Sequence, residues 1–213
     1  MICGVDEAGR GPVLGPLVVG SVYAETDDAL REINVKDSKK LTPKIREKMY
    51  DQIKEACPYS YVVIASANEI DERRLKMSLN IIELEMFREA VSKHQVETVY
   101  ADCPDVSEMR FSSALSLRLN GENVVARHKA DDTYPIVSAA SVIAKVTRDR
   151  MIEDIQKEFD MNIGSGYPSD HFTMEFIEKW IKDNGCPPKH TRCSWEPVKH
   201  LMSAARNTKL SDW

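Results

Sequence analysis

Asp6 and Glu7 are adjacent carboxylates at the end of the apolar run Met1-Ile2-Cys3-Gly4-Val5, and Gly9-Arg10-Gly11-Pro12 follows at once. Neighbouring acids repel and glycines weaken regular structure, so this arrangement costs stability unless something offsets it. A divalent cation held by the acids does so, with a ligand lying close over the glycine backbone. Asp102 ends a second apolar segment, and Asp131-Asp132 follow a third. In open α/β sheets, sites form at the carboxyl ends of strands, so these acids meet in one cleft if the three strands are neighbours. Such a cluster does not ionise fully without cations. All-oxygen ligation suits Mg²⁺ or Mn²⁺, and two such ions roughly 4 Å apart clamp the attacking and leaving oxygens of an in-line phosphoryl displacement. By spacing, either Asp131 or Asp132 serves, and each also fits an ordinary turn or helix cap.

The surrounding cations point to a phosphodiester substrate. Lys36, Lys39, Lys40, Lys44, Arg46 and Lys48 form one basic block, Arg127, His128 and Lys129 a second, and Lys145, Arg148 and Arg150 a third. Lys39, Lys40, Lys129, Lys145 and Arg148 can neutralise phosphates on either side of a scissile bond. The net charge of −5 argues against bulk electrostatic adhesion to nucleic acid, so the cations act locally. Gly9 and Gly11 let backbone groups touch a sugar, and a 2′-hydroxyl is what distinguishes RNA from DNA there. Tyr167, in the Gly164-Ser165-Gly166-Tyr167-Pro168-Ser169 loop, can stack on a base or sugar.

These residues need a scaffold. Strands are expected at Met1–Val5, Val13–Tyr23, Tyr59–Ser66, Glu97–Asp102 and Asn123–Arg127, from β-rich composition between turn signals. Thr42-Pro43 reads as an N-cap and first helical residue, opening a helix from Lys44 to Ala56. Leu79, Ile82, Met86 and Ala90 recur at helical spacing, giving a helix over Ser78–Lys93. Further helices are expected at Glu108–Leu119 and Tyr134–Phe159. The latter carries the small segment Ser138-Ala139-Ala140-Ser141, which permits close approach of another surface. Strands alternating with helices indicate an α/β layer fold. Past Gly164, Phe172, Phe176, Trp180 and Ile181 form the apolar stripe of a helical C-terminal appendage.

At 213 residues this is one domain with an appendage. No signal peptide or bilayer-spanning stretch is visible, since the longest apolar run, Leu14 to Ala24, contains two glycines and a proline. The five cysteines are odd in number and lack a Cys-x-x-Cys pair, which fits reduced thiols in the cytoplasm. Cys186 and Cys193 flank His190, too few ligands for a good zinc site.

Taken in order and spacing, Gly4-Val5-Asp6-Glu7-Ala8-Gly9-Arg10-Gly11-Pro12, Asp37-Ser38-Lys39-Lys40-Leu41, Tyr100-Ala101-Asp102, His128-Lys129-Ala130-Asp131, Ser138-Ala139-Ala140-Ser141 with Ala144-Lys145, and Gly164–Asp170 resemble ribonuclease HII, in its archaeal form. The motifs span most of the chain. The resemblance implies an RNase H-like fold: a five-stranded mixed sheet flanked by helices, with a C-terminal helical region. It divides the chain into a catalytic domain over 1–163, a helical region over 164–206 and a tail over 207–213. It implies an endoribonuclease that degrades the RNA strand of RNA–DNA hybrids and nicks 5′ of ribonucleotides embedded in duplex DNA. The products carry a 3′-hydroxyl and a 5′-phosphate, and the roles are ribonucleotide excision in DNA repair and RNA primer removal in DNA replication.

By the same resemblance the four catalytic and metal-binding acids are Asp6, Glu7, Asp102 and Asp131, selecting Asp131 over Asp132, with Mg²⁺ or Mn²⁺ as cofactor. Gly9-Arg10-Gly11 reads the 2′-hydroxyl and Tyr167 senses the junction. Lys39, Lys40, Arg46, Lys129, Ser141, Lys145 and Arg148 complete the expected substrate contacts. A monomer is expected. In the tail, Leu210 and Trp213 lie three apart after Asn207, a spacing similar to the sliding-clamp binding box. Asn207 replaces the usual Gln and the second aromatic is missing, so clamp binding stands beside the alternative that Trp213 packs on the C-terminal helices.

Overall fold

The computed structural model describes residues 1–35 and 41–211, the last five of these in backbone only. Strands β1 (Ile2–Ala8), β2 (Leu17–Ala24), β3 (Ser60–Ala65), β4 (Thr98–Asp102) and β5 (Asn123–Arg127) form one sheet in the order β3-β2-β1-β4-β5. β1 runs antiparallel to β2 and parallel to β4, and β4 parallel to β5, so the sheet is mixed as expected. The helices are α1 (Asp28–Glu32), α2 (Pro43–Ala56), α3 (Ala67–Arg74), α4 (Leu79–Val91), α5 (Glu108–Arg118), α6 (Pro135–Glu158), α7 (His171–Asn184) and α8 (Glu196–Ser211).

Local chemistry explains most boundaries. Thr42 accepts the Ile45 N–H and Pro43 opens α2, as its sequence implies. β1 continues through Asp6 and Glu7 to Ala8 instead of stopping at Val5, because β2 pairs opposite them, Asp6 with Gly20 and Glu7 with Val19. β2 begins at Leu17, not Val13. Two short helices have no sequence-based expectation. α1 has five residues, and α3 buries only Ala67 and Ile70, so neither carries enough apolar periodicity to be read. What starts α3 is the capping box of Ser66 and Glu69.

The described chain divides into two compact units. The first comprises Met1–Ala8, Val18–Ile64 and Ser78–Arg148, and the second Gly9–Leu17, Ala65–Met77 and the chain from Asp149 onward. In the first, alternation along the strands sorts the two faces of the sheet. Gly4, Gly20, Val22 and Tyr100 face α6, where Ile136, Val137, Ala139, Ala140 and Ile143 pack with Ala130 just before the helix, Ile53 of α2 and Leu30 of α1. Ser21 and Tyr23 face α4 and donate their hydroxyls to the Ala90 carbonyl at 2.9 and 2.7 Å. Phe87 of α4 meets Phe111 of α5 edge to face at 5.3 Å. In the second unit, Phe159, Phe176 and Trp180 form an aromatic cluster, and α7 packs against α8.

α6 lies close on the sheet because glycines admit it. A Cβ on Gly4 would stand 2.2 Å from the Ile136 carbonyl oxygen, and one on Gly20 2.7 Å from that of Ala140. The small residues of α6 thus meet strand positions that have no side chain.

Candidate active site

The first unit gathers the acids. β1 and β4 pair in parallel with Gly4 beside Tyr100 and Val5 beside Ala101, so the next positions in that register are Asp6 and Asp102. Both leave the sheet on the side facing α6. β5 ends at Arg127, and the chain then turns through Lys129, held at φ 55°, into a 3₁₀ turn over Ala130–Asp132. A left-handed φ is uncommon for a lysine and marks a turn held by its surroundings. Two acids hold it. Glu108 accepts the His128 N–H at 2.7 Å and pairs with Arg127 at 2.9 Å, and Asp102 accepts the Ala130 N–H at 2.8 Å. Ser138 of α6 donates its hydroxyl to the Asp131 carbonyl. The outcome is that Asp131 is buried while Asp132 is exposed, so of the two acids that spacing left open, the fold turns Asp131 inward.

Asp6 lies at the centre of this group, 3% exposed. Burial is the largest cause pushing its carboxyl up, to about 8, with the Asp102 and Asp131 carboxylates adding to it. The Ser141 hydroxyl and the Glu7 N–H, the latter at 2.7 Å, oppose the shift by hydrogen bonding to the charged form. Hence the site concentrates negative charge and, without a counter-ion, holds a proton at neutral pH. The donor set is all oxygen and hard, which suits Mg²⁺ or Mn²⁺ in kind. Among the described residues, no three His, Cys, Asp or Glu side chains are already set as an ion's ligand sphere. The acids are brought together but not closed on one point.

The expected cations have varied settings. Lys129 is exposed and Lys145 half-buried. Arg148 is 1% exposed and Arg46 9%, the latter donating to the Leu41 carbonyl at 2.9 Å, so neither is a solvated surface charge. Lys39 and Lys40 lie outside the described residues, as does Trp213 and the side chain of Leu210.

The second unit builds the glycine turn. Gly9 has φ 91°, which a side chain would resist. Gly11 is exposed, and a Cβ there would stand 3.8 Å from the Tyr167 ring, so turn and tyrosine are neighbours. The Tyr167 loop is tied to the same segment: the Gly166 carbonyl accepts the Val13 N–H at 2.8 Å and the Leu14 N–H at 3.2 Å. Asp170 fixes the loop, accepting the Ser165 N–H and hydroxyl at 2.7 Å each while capping α7, and these bonds hold its carboxyl below the usual range.

Two structural participants escaped sequence reasoning. In the sequence Ser138 stands out only as a small residue, and its bond to the Asp131 backbone has no local signal. Arg192, 0% exposed, donates from Nη2 to the Gly9 carbonyl at 2.6 Å, from Nη1 to Arg10 at 3.1 Å and from Nε to Gly15 at 3.0 Å. It is 182 residues from Arg10 in sequence, and nothing local announces the contact.

Comparison with known proteins agrees with this architecture. The family model for Ribonuclease HII matches residues 3–198. Ribonuclease HII of Methanospirillum hungatei is 46% identical over the whole of both chains. The crystal structure of ribonuclease H2 from Pyrococcus horikoshii superposes with a TM-score of 0.89 at 43% identity, covering 96% of this chain and 98% of that one. A structure of the PCNA:RNase HII complex from Archaeoglobus fulgidus gives 0.87 at 42%, covering 94% and 96%. Likeness of this extent, in sequence and in an RNase H-like sheet alike, means that the chain belongs to the ribonuclease HII family and is a ribonuclease H.

Proposed function

We propose that this ribonuclease cuts the RNA strand of RNA–DNA hybrids endonucleolytically and nicks duplex DNA 5′ of an embedded ribonucleotide, leaving 3′-hydroxyl and 5′-phosphate ends. The observation that carries the reading is the placement of the acids: Asp6 is buried and set by strand register beside Asp102, and the turn after β5, held by Asp102, carries Asp131 inward. A binder of polyanions gains nothing from such a cluster, whereas a hydrolase using cations needs it.

Asp6, Glu7, Asp102 and Asp131 would hold two divalent ions. Bound Mg²⁺ or Mn²⁺ supplies a water that ionises at neutral pH and charge that stabilises the departing 3′-oxygen. The remaining work belongs to the protein. The Ser141 hydroxyl favours the charged form of Asp6 and so assists its deprotonation. The Ala130 N–H orients Asp102 through Oδ1. Ser138 fixes the backbone from which Asp131 projects. Lys39, Lys40, Lys129 and Lys145 neutralise phosphates, while Arg46 and Arg148, buried in the fold, add positive charge from beneath the surface instead of touching them; Gly9-Arg10-Gly11 reads the 2′-hydroxyl, and Tyr167 stacks at the ribonucleotide.

In this reading residues 1–163 form the catalytic region, 164–206 the helical region and 207–213 a tail that engages a sliding clamp through Leu210 and Trp213. The tail assignment is supported by the PCNA complex of the Archaeoglobus fulgidus relative. The enzyme acts as a monomer in the cytoplasm, in ribonucleotide excision and primer removal.

A labelled DNA duplex with one ribonucleotide, incubated with Mg²⁺ or Mn²⁺, tests the core of this. A single nick 5′ of the ribonucleotide is expected, absent from an all-DNA duplex, from EDTA and from Asp102→Asn. Cleavage of a long hybrid but not of this duplex would remove junction recognition. No cleavage of either by folded protein would overturn the catalytic assignment.

A further inference from the structure

We infer that Arg192 is a positioning residue for substrate recognition: its buried guanidinium fixes the direction in which the Gly9-Arg10-Gly11 turn presents its amide groups. The inference rests on the proposal that this turn reads the 2′-hydroxyl, and adds the device that makes it able to.

The geometry is unusually complete. All three donors that the guanidinium aims at the loop end on main-chain carbonyls, Gly9 and Arg10 at the turn itself and Gly15 beyond it. A peptide unit is planar and trans, so its C=O and N–H point in opposite directions. The Gly9 carbonyl shares its peptide with the Arg10 N–H, and the Arg10 carbonyl shares its peptide with the Gly11 N–H. Drawing both oxygens onto Arg192 therefore turns both N–H groups away from it. A cation on the oxygen side also polarises each peptide, strengthening the N–H as a donor to a sugar hydroxyl.

Arg192 is itself held from several sides. Its N–H bonds to the Val13 carbonyl at 2.8 Å, and Leu14 bridges to Thr191. The guanidinium stacks on the Trp195 ring at 4.9 Å. Asp71 accepts from the Cys193 and Ser194 N–H groups at 2.6 and 3.1 Å, anchoring the next two residues. Lysine keeps the charge but has no planar fork, so it cannot meet three carbonyls at once.

The test compares Kd for a DNA duplex carrying one ribonucleotide with Kd for the same duplex in all-DNA form, with Ca²⁺ replacing Mg²⁺ to suppress cleavage. Wild type is expected to prefer the ribonucleotide. Arg192→Lys should cut that preference about tenfold, mainly by weakening the ribonucleotide duplex, since hydrogen bonds to the 2′-hydroxyl are lost while phosphate contacts remain. Asp71→Asn loosens the same segment without touching the turn. It should lower Tm yet keep the preference, because a smaller folded fraction weakens both duplexes equally.

If Arg192→Lys is folded and keeps the wild-type preference, the inference is overturned while the reading of the turn stands. If wild type has no preference, both fall. If Arg192→Lys does not fold, hydrogen exchange on wild type decides. The Arg10 and Gly11 amides should be protected by the ribonucleotide duplex and not by the all-DNA one, and equal protection would overturn the reading of the turn and the inference with it.

Discussion

Replacing Asp6 by asparagine should abolish cleavage and yet stabilise the metal-free protein, increasingly so as pH rises. The unfolded chain ionises Asp6 near 3.8, whereas in the folded protein burial, Asp102 and Asp131 hold it protonated up to about 8. Folding thus takes up a proton between these values. The stability contributed by this group is complete below about pH 4 and is lost progressively as pH climbs toward 8. One proton corresponds to about 1.4 kcal/mol per pH unit, so from pH 5 to pH 7 the wild type loses about 3 kcal/mol through this site alone. Asparagine does not titrate and escapes that loss. Urea unfolding of both proteins in EDTA, followed by far-UV circular dichroism at pH 5, 6 and 7, measures the difference directly. The gap in favour of Asp6→Asn should widen by about 3 kcal/mol across the series, and saturating Mg²⁺ should narrow it by stabilising only the wild type. Parallel profiles for the two proteins in EDTA would refute the claim that the fold holds a proton on Asp6.

Four further outcomes are expected. Ser141→Ala removes a hydrogen bond that favours the Asp6 carboxylate, so the acidic limb of the pH–rate profile should move up by about half a unit to one unit with little change in Tm. Gly4→Ala places a Cβ against the Ile136 backbone, displacing α6 from the sheet, and should cost about 2–4 kcal/mol by urea unfolding while lowering cleavage. Ser66→Ala dismantles the α3 capping box at a cost of about 1 kcal/mol, with cleavage by the folded protein unaltered. Deleting residues 207–213 should leave clamp-free cleavage unchanged and abolish stimulation by a sliding clamp, measured on the single-ribonucleotide duplex.

Features with local causes are legible along the chain. Alternating β-rich and periodic apolar segments specified an α/β layer fold, and Thr42-Pro43 marked the start of α2 to within a residue, because caps and periodicity are short-range effects. Asp6, Glu7 and Asp102 are legible as candidates for a similar reason: carboxylates that close an apolar run stand out against their background. What tertiary structure decided are matters of register and long-range contact. Choosing between Asp131 and Asp132 from the residues alone needed the 3₁₀ turn, with Ser138 and Asp102 gripping its backbone. The upward pull on Asp6 depends on strands whose register sets Asp6 beside Asp102, and no window of residues contains both. α1 and α3 stayed invisible because one is a single short turn and the other hides only two residues. Arg192 is the extreme case. Its identity is plain in the chain, but its meaning comes from carbonyls near the opposite terminus, and only the folded backbone brings them within a hydrogen bond.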